Sequence, residues 1–270
     1  MTMPQTAHEV APWVAKLARL GYVAKAILYG TVGLLAAQAA LGHGGRTTDL
    51  GGALREVTRA PLGGVLLWLI AAGLAGYAIW RIVDAITDAE GKGGDGKGIA
   101  RRIGSAARGV GHGALAVGAF KLATGSGSGG GGGGRSREIA TKATDVAGEW
   151  VLWVAAVAVI GYACYQLYRA WKARLGSQLD LGSASATLGR WVTGVSRFGI
   201  AARGVVFALV GLLLIRAAQS KNPGRAGGIK DSLEMLQGMG RWPFVVVALG
   251  LVAYAVYELL NARYRRIRVA

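Results

Sequence analysis

Long uncharged, apolar stretches alternate with short basic clusters along this chain. A bilayer core of about 30 Å needs about 20 helical residues to cross it. Four uncharged runs approach or reach that length, and they are residues 26–45, 62–80, 150–168 and 242–257. The last run is extended beyond Glu258 by Leu259 and Leu260. The pattern therefore predicts four membrane-spanning helices.

Two further runs, residues 109–120 and 204–215, are shorter. Basic residues bound each of them, Arg108 and Lys121 in one case and Arg203 and Arg216 in the other. By length alone these runs fit buried core helices. Long basic side chains can extend outward to the polar boundary, however, and this makes a short apolar run compatible with a span.

Internal repetition favours spans at both sites. Three segments align without gaps, RLGYVAKAILYG from Arg19, RIGSAARGVGHG from Arg102 and RFGIAARGVVFA from Arg197. A second alignment joins GYAIWRIVDA, GYACYQLYRA and AYAVYELLNA, and it superposes Tyr77, Tyr162 and Tyr254. A helical pair thus recurs three times. We predict an all-α membrane protein with six transmembrane helices, arranged as three pseudo-threefold-related helical hairpins over residues 13–87, 99–172 and 191–264.

The loops that follow the first helix of each repeat carry short amphipathic patterns, at residues 49–57, 137–148 and 229–237. We expect short interfacial helices there, on the outer side of the bundle. The glycine-rich tract at 125–134 is expected to be coil. It lacks the strand, helix and Lys-Ser/Thr context that a phosphate-binding loop requires. Residues 91–98 are expected to form a linker between repeats, and residues before Pro12 a disordered leader.

Composition supports the membrane assignment. Hydrophobic residues make up 53% of the 270-residue chain and charged residues only 17%, which argues against a soluble enzyme. The net charge is +17, but the basic residues punctuate the apolar runs instead of forming the polar face of a nucleic-acid-binding protein. We therefore expect no nucleic-acid partner.

The basic residues also predict an orientation. More of them fall at the helix ends shared by the N-terminus, the second and fourth loops and the C-terminus, whose tail carries Arg263, Arg265, Arg266 and Arg268. The positive-inside rule then predicts a multi-pass protein of the cell membrane with both termini cytoplasmic. The first helix ends in Ala37 to Ala39 and could be read as a signal peptide. Its recurrence at two internal positions favours a retained span.

In its Arg-x-Gly-x-x-Ala-(Lys/Arg) helix starts and its Gly-Tyr-Ala second helices, the chain resembles a bacterial membrane-protein family of unknown function. That family is built of three tandem two-helix repeats. The resemblance extends from about Trp13 to Tyr264 and implies six spans. It implies no catalytic residues. Arg81, Gln166 and Glu258 share one aligned position but differ in charge, so a function that needs three identical groups there is not expected.

Ionisable residues inside a bilayer are candidate functional residues. Lys25, Arg108 and Arg203 align in the first helices, and two interpretations remain open. They extend to lipid phosphates at the boundary, or they form a basic ring that binds an anion or an anionic lipid headgroup. For Glu258 we expect an ion pair with Arg203, and Asp84 is expected to neutralise Lys25 or Arg81. His112 fits a buried polar contact or, alternatively, a proton relay.

No reactive constellation accompanies these residues. Cys164 is the single cysteine and the three histidines are scattered, so we expect no metal, no cofactor and no enzymatic activity. The leading hypothesis is a non-enzymatic membrane scaffold that binds anionic lipids or membrane-protein partners. The alternative is a small channel or transporter along the pseudo-threefold axis or a cleft between repeats. An anion is a candidate substrate for it.

Overall fold

The structure is a computed structural model, and it describes residues 12–88, 91, 93–127, 132–172 and 186–264. All regular structure in these ranges is helical, as the sequence predicts. Six long helices are α1 (Pro12–Leu41), α3 (Gly63–Thr87), α4 (Gly96–Ala123), α6 (Trp150–Lys172), α7 (Ala186–Gln219) and α9 (Arg241–Tyr264). Three short helices are α2 (Leu50–Thr58), α5 (Gly132–Ala147) and α8 (Ile229–Met239).

Five of the long helices are long and apolar enough to cross a membrane, which supports embedding of the chain in a bilayer. They are Lys16–Leu41, Gly63–Thr87, Trp150–Lys172, Gly189–Gln219 and Arg241–Tyr264. The second of the two doubtful runs therefore belongs to a candidate span. The first lies in α4, which does not reach the required hydropathy, because five Lys and Arg residues and seven glycines lie along the helix.

The long helices pack side by side in the order α4, α3, α1, α9, α7, α6. Glycines allow the closest approaches. A Cβ on Gly33 of α1 would lie 2.7 Å from the backbone nitrogen of Val252 in α9. A Cβ on Gly21 would lie 2.7 Å from the Cβ of Tyr77 in α3. The apolar core lies along these contacts and includes Leu28, Ile70, Leu74 and Leu251.

The two long helices of each repeat do not pack in the same way. Within the first repeat α1 contacts α3, and within the third α7 contacts α9. No comparable interface joins α4 and α6 over the residues described above. The second repeat is instead held by its neighbours, because α4 packs on α3 and α6 packs on α7. The expected arrangement of three hairpins is thus not confirmed, since the described parts of α4 and α6 leave an opening between them.

The three short helices lie together at one end of the bundle, which we call the short-helix end. Asp49 begins α2 by accepting a hydrogen bond from Gly52 N at 2.8 Å, which is the N-cap arrangement expected for an aspartate. An ion pair of 2.5 Å between Arg137 and Asp231 joins α5 to α8. The predicted short helices are therefore present, in contact with one another.

Two boundaries differ from the expectation. Helix α4 begins at Gly96, inside the expected linker, because the carboxylate of Asp95 accepts a hydrogen bond from Gly98 N at 2.8 Å. Helix α5 begins at Gly132, inside the glycine-rich tract. The expected leader before Pro12 lies outside the described residues, as do residues 128–131 of the tract.

Candidate functional site

Four positions of the repeat bring their side chains together inside the bundle, at one level of the long helices. We call this group the basic-aromatic centre. Its members are Lys25, Arg108 and Arg203; Tyr29, His112 and Phe207; Tyr77, Tyr162 and Tyr254; and Arg81, Gln166 and Glu258. The hydrogen bonds, ion pairs and ring contacts described below join members from all three repeats.

Lys25 of α1 forms the ion pair at this centre. Its Nζ lies 2.8 Å from an oxygen of Glu258 in α9. The same nitrogen lies 4.8 Å from the ring centroid of Tyr77 and 5.0 Å from that of Tyr22. Lys25 is only 6% exposed. Its ammonium therefore points into the bundle. The first interpretation of this residue required the ammonium to extend to the lipid boundary instead.

Arg203 of α7 is held mainly by aromatic residues. Its Nε donates to the hydroxyl of Tyr29 at 3.0 Å, and one terminal nitrogen donates to the hydroxyl of Tyr162 at 2.8 Å. The guanidinium carbon lies 4.8 Å from the ring centroid of Phe207 and 5.0 Å from that of Tyr254. Cations are attracted to the faces of such rings. Arg203 thus joins helices from all three repeats and is buried.

Glu258 has a different partner from the one expected. Its ion pair is with Lys25, so the expectation of a pair with Arg203 is wrong. One oxygen also accepts a hydrogen bond from the hydroxyl of Tyr254, one turn earlier in α9. Depth along the helix was the basis for choosing Arg203. Depth does not reveal that α9 packs directly on α1, and this contact brings Lys25 to the carboxylate.

Arg81 and Asp84 form a second buried charged pair, within α3. Their closest atoms are 3.5 Å apart, and both side chains are almost fully buried. Arg81 also donates through Nε to the hydroxyl of Tyr77 at 3.2 Å, which connects this pair to the surroundings of Lys25. Of the two partners expected for Asp84, the structure therefore selects Arg81.

Helix α4 of the second repeat contributes Arg108 and His112. A terminal nitrogen of Arg108 donates to Ser105 Oγ at 3.1 Å. His112 donates from Nδ1 to the carbonyl oxygen of Arg108 at 2.7 Å. Its ring packs edge-on against Tyr77, with centroids 4.8 Å apart. These contacts match the buried polar contact expected for His112. The partner of Nδ1 is a backbone carbonyl oxygen and not a side chain that could accept a proton.

Sequence reasoning missed the role of the tyrosines. The alignment of Tyr77, Tyr162 and Tyr254 was visible, but the hydroxyls were not assigned as partners of the cations. Tyr29 completes the set, and its ring packs edge-on against Tyr254 with centroids 4.8 Å apart. The available signal was a tyrosine that recurs one turn before the position of Arg81, Gln166 and Glu258, because residues four apart share a helix face.

The centre can bind but has no evident reactive group. No three residues among His, Cys, Asp and Glu approach each other as metal ligands in the described part of the chain. Lys25 and Arg81 each pair with a carboxylate. Arg108 and Arg203 have hydroxyl partners and no carboxylate partner among the described residues. Such an excess of positive charge, surrounded by hydroxyl groups and aromatic rings, is suited to an anion.

The comparisons agree with the repeat structure. A family described as Domain of Unknown Function (DUF1206) matches three successive segments, residues 20–88, 103–173 and 198–265. The chain is also 30% identical to the uncharacterised protein YxxB of Bacillus subtilis (strain 168), over 268 residues that cover 97% of this chain and 95% of YxxB. No solved structure matches the chain. The resemblance noted in the sequence is confirmed. The chain belongs to the DUF1206 family, and three of its segments each match the family's domain.

Proposed function

We propose that this chain is a multi-pass, non-enzymatic protein of the cell membrane that binds an anionic lipid headgroup at the basic-aromatic centre. In binding such a lipid it would organise anionic lipids, or partners that carry them, around itself. Both termini would be cytoplasmic, as the distribution of basic residues predicts. The five candidate spans support residence in a membrane.

We include α4 as a sixth span. Its 28 residues extend about 42 Å at 1.5 Å per residue, more than the roughly 30 Å of a bilayer core. It packs along α3, which is itself a candidate span. Arg108, the cation nearest the middle of α4, is only partly exposed and donates a hydrogen bond to Ser105. Its charge therefore does not have to face lipid tails.

The observation that carries the proposal is the charge balance at the centre. Glu258 and Asp84 are paired with Lys25 and Arg81. Arg108 and Arg203 have no carboxylate partner among the described residues. A buried charge without a counter-charge is costly in a medium of low dielectric constant. A bound anion would remove that cost. Guanidinium groups are suited to the oxygens of a phosphate, which makes a phospholipid headgroup the natural ligand class.

The proposal can be tested by measuring lipid binding to the purified protein. We expect native mass spectrometry to detect adducts of dioleoyl phosphatidylglycerol in preference to dioleoyl phosphatidylcholine. Arg108→Gln should weaken the anionic adduct about tenfold, the loss of one charge-assisted hydrogen bond. Arg101→Gln is the matched control, since Arg101 is an exposed residue of the same helix. Equal binding of the two lipids, or equal binding by Arg108→Gln and the parent, would contradict the proposal.

A small anion channel or transporter is the alternative. It would use the same cations, but the packing of Tyr29 against Tyr254 fills space beside Arg203 and favours binding over conduction. Reconstitution in liposomes distinguishes the two functions. Anion flux that is present in the parent and lost in Arg108→Ala would support transport, whereas no flux under any gradient would support the binding function.

A further inference from the structure

We propose that the anionic ligand is a diacyl phospholipid that lies in the opening between α4 and α6, with its phosphate on Arg108 and an acyl chain between the two helices. This inference rests on the function proposed above and identifies where the ligand enters. It does not require a channel through the bundle, because the opening is on the side of the bundle.

The opening is visible at residues that pack tightly in the other repeats. Gly21 in the first repeat and Gly199 in the third each lie against the second helix of their own repeat, where an added Cβ would come within 2.7 Å and 2.4 Å of other atoms. Gly104 is the aligned residue of the second repeat. The nearest atom to its added Cβ belongs to Arg108, in its own helix, at 4.0 Å.

The second helices give the same result. A Cβ on Gly76 of α3 would lie 2.9 Å from the Cβ of Leu17 in α1. Gly161, the aligned residue of α6, has no atom within 4 Å of such a Cβ. The facing walls of the opening are therefore free of other described parts of the chain at both Gly104 and Gly161.

The sequence explains why this repeat alone is open. Leu28 and Val206, buried apolar residues of the first and third repeats, align with Gly111. Ile70 and Val247, also buried, align with Ala155. Two positions that hold large buried side chains in the other repeats thus hold small residues here, one on α4 and one on α6. Without those large side chains, α4 and α6 have less apolar surface to bury against each other, and the space fits an acyl chain.

Polar atoms without partners collect at the same repeat. Five buried side-chain nitrogen or oxygen atoms lack a hydrogen-bond partner within the described ranges, and three of them belong to α4 and α6. These three are Arg108 Nε, His112 Nε2 and Gln166 Nε2. Gln166 is 1% exposed and His112 is 9% exposed. A buried polar group without a partner is unfavourable, so the three atoms point to a missing ligand.

Two of the three atoms, Arg108 Nε and Gln166 Nε2, have suitable chemistry for a phosphate. Arg108 Nε and the amide nitrogen of Gln166 are donors, and phosphate oxygens accept. Because Nδ1 of His112 already donates to the backbone, its Nε2 accepts in the neutral ring and donates only when the ring is protonated. Tyr162 of α6 accepts a hydrogen bond from Arg203 at 2.8 Å. The head of the opening is therefore continuous with the basic-aromatic centre.

Charge selects an anionic lipid over a zwitterionic one. Arg108 and Arg203 have no carboxylate partner among the described residues, so a phosphate on Arg108 would supply a missing negative charge. The choline group of phosphatidylcholine would bring a further cation. Leu115 lies on the same face of α4 as Arg108 and Gly111, and Ala155 and Ala158 share a face of α6. An acyl chain that runs between these residues would continue from a phosphate on Arg108.

The test fills the opening with the residues that the other repeats carry. In the double variant Gly111→Leu/Ala155→Ile, we expect binding of dioleoyl phosphatidylglycerol to fall about tenfold, as measured by native mass spectrometry. Gly64→Leu is the matched control, because a Cβ on Gly64 also meets open space but lies on α3, away from the opening. Glycerol phosphate, which has the anion but no acyl chains, is the probe for a soluble ligand.

A second measurement uses the unchanged protein, in case the double variant does not fold. Phosphatidylglycerol with a photoreactive group on its acyl chain should cross-link to α4 and α6 near Leu115 and Ala155. Cross-links confined to other helices would overturn the inference, as would glycerol phosphate binding that matches the lipid and is insensitive to filling. A dimer that covers the opening and excludes lipid would overturn it as well.

The outcomes separate this inference from the function on which it rests. If Arg108→Gln weakens lipid binding and the filled variant binds like the parent, the headgroup function stands and the location in the opening is wrong. If neither variant changes binding, both are wrong. If both variants weaken binding and Gly64→Leu does not, both are supported.

Discussion

The Nζ of Lys25 lies 2.8 Å from the carboxylate of Glu258, and neither side chain reaches the surface of the bundle. This pair joins the first helix of the first repeat to the last helix of the third. The same helices also approach closely at Gly33. Helices α1 and α9 are thus held together by a buried charge pair and by tight packing.

Removal of one member of this pair should be far more damaging than removal of both. We expect Glu258→Gln to cost about 3 to 5 kcal/mol, because it leaves Lys25 charged and buried without its partner. Lys25→Met combined with Glu258→Leu should lose much less. Thermal unfolding in detergent measures both effects. Glu138→Gln, which breaks an exposed pair with Lys142, is the control and should cost less than about 1 kcal/mol. Equal losses for Glu258→Gln and the control would contradict this account.

The tyrosines that bind Arg203 should each contribute to stability through their hydroxyls. Tyr29→Phe and Tyr162→Phe keep the aromatic ring and remove one acceptor from the guanidinium. We expect each to cost about 1 to 3 kcal/mol, the penalty for a buried donor left without a partner. Tyr168→Phe is the comparison, since Tyr168 is an exposed residue. Unfolding midpoints that do not differ among the three variants would show that the hydroxyls are not used.

Alanine substitution at the aligned glycines should distinguish the repeats. Gly199→Ala places a Cβ 2.4 Å from the backbone nitrogen of Tyr254, so we expect a loss of about 1 to 3 kcal/mol from overpacking. Gly104→Ala meets no such obstacle and should stabilise α4 by about 0.5 to 1 kcal/mol, the usual difference between alanine and glycine in a helix. Chemical or thermal unfolding of the two variants is the measurement. A comparable loss at Gly104 would mean that α4 and α6 are packed together.

Topology can be tested with single cysteines in a Cys164→Ser background. Ser220 is an exposed residue at the short-helix end, and Gly94 is an exposed residue at the opposite end of the bundle. With both termini cytoplasmic, a membrane-impermeant maleimide should label Ser220→Cys in intact cells. Gly94→Cys should be labelled only after the membrane is permeabilised. The reverse pattern would show that the orientation derived from the basic residues is inverted.

Much of the helical framework could be predicted from sequence, because it depends on local patterns. Uncharged runs located the long helices, and three amphipathic stretches located α2, α5 and α8. The alignments also identified the positions that meet at the centre. They show which residues are equivalent, and equivalent residues lie at the same level when the repeats pack around a common axis.

The partners and the opening could not be predicted in the same way, because they depend on which helices touch. Glu258 was expected to pair with Arg203, but the contact between α9 and α1 gives it Lys25. The opening in the second repeat depends on the summed volume of side chains on two facing helices. Gly111 and Ala155 were visible in the alignment. Their effect becomes clear only once Leu28 and Ile70 are seen to be buried.

The unequal second repeat sets a stoichiometry. A protein with three equivalent clefts would bind three ligands with similar affinities. Here a Cβ would be obstructed at Gly21 and Gly199 and unobstructed at Gly104, so the two long helices are closely packed in the first and third repeats and not in the second. If a ligand enters from the side as proposed, this opening is its one route among the described helices, and we expect each chain to bind one such molecule.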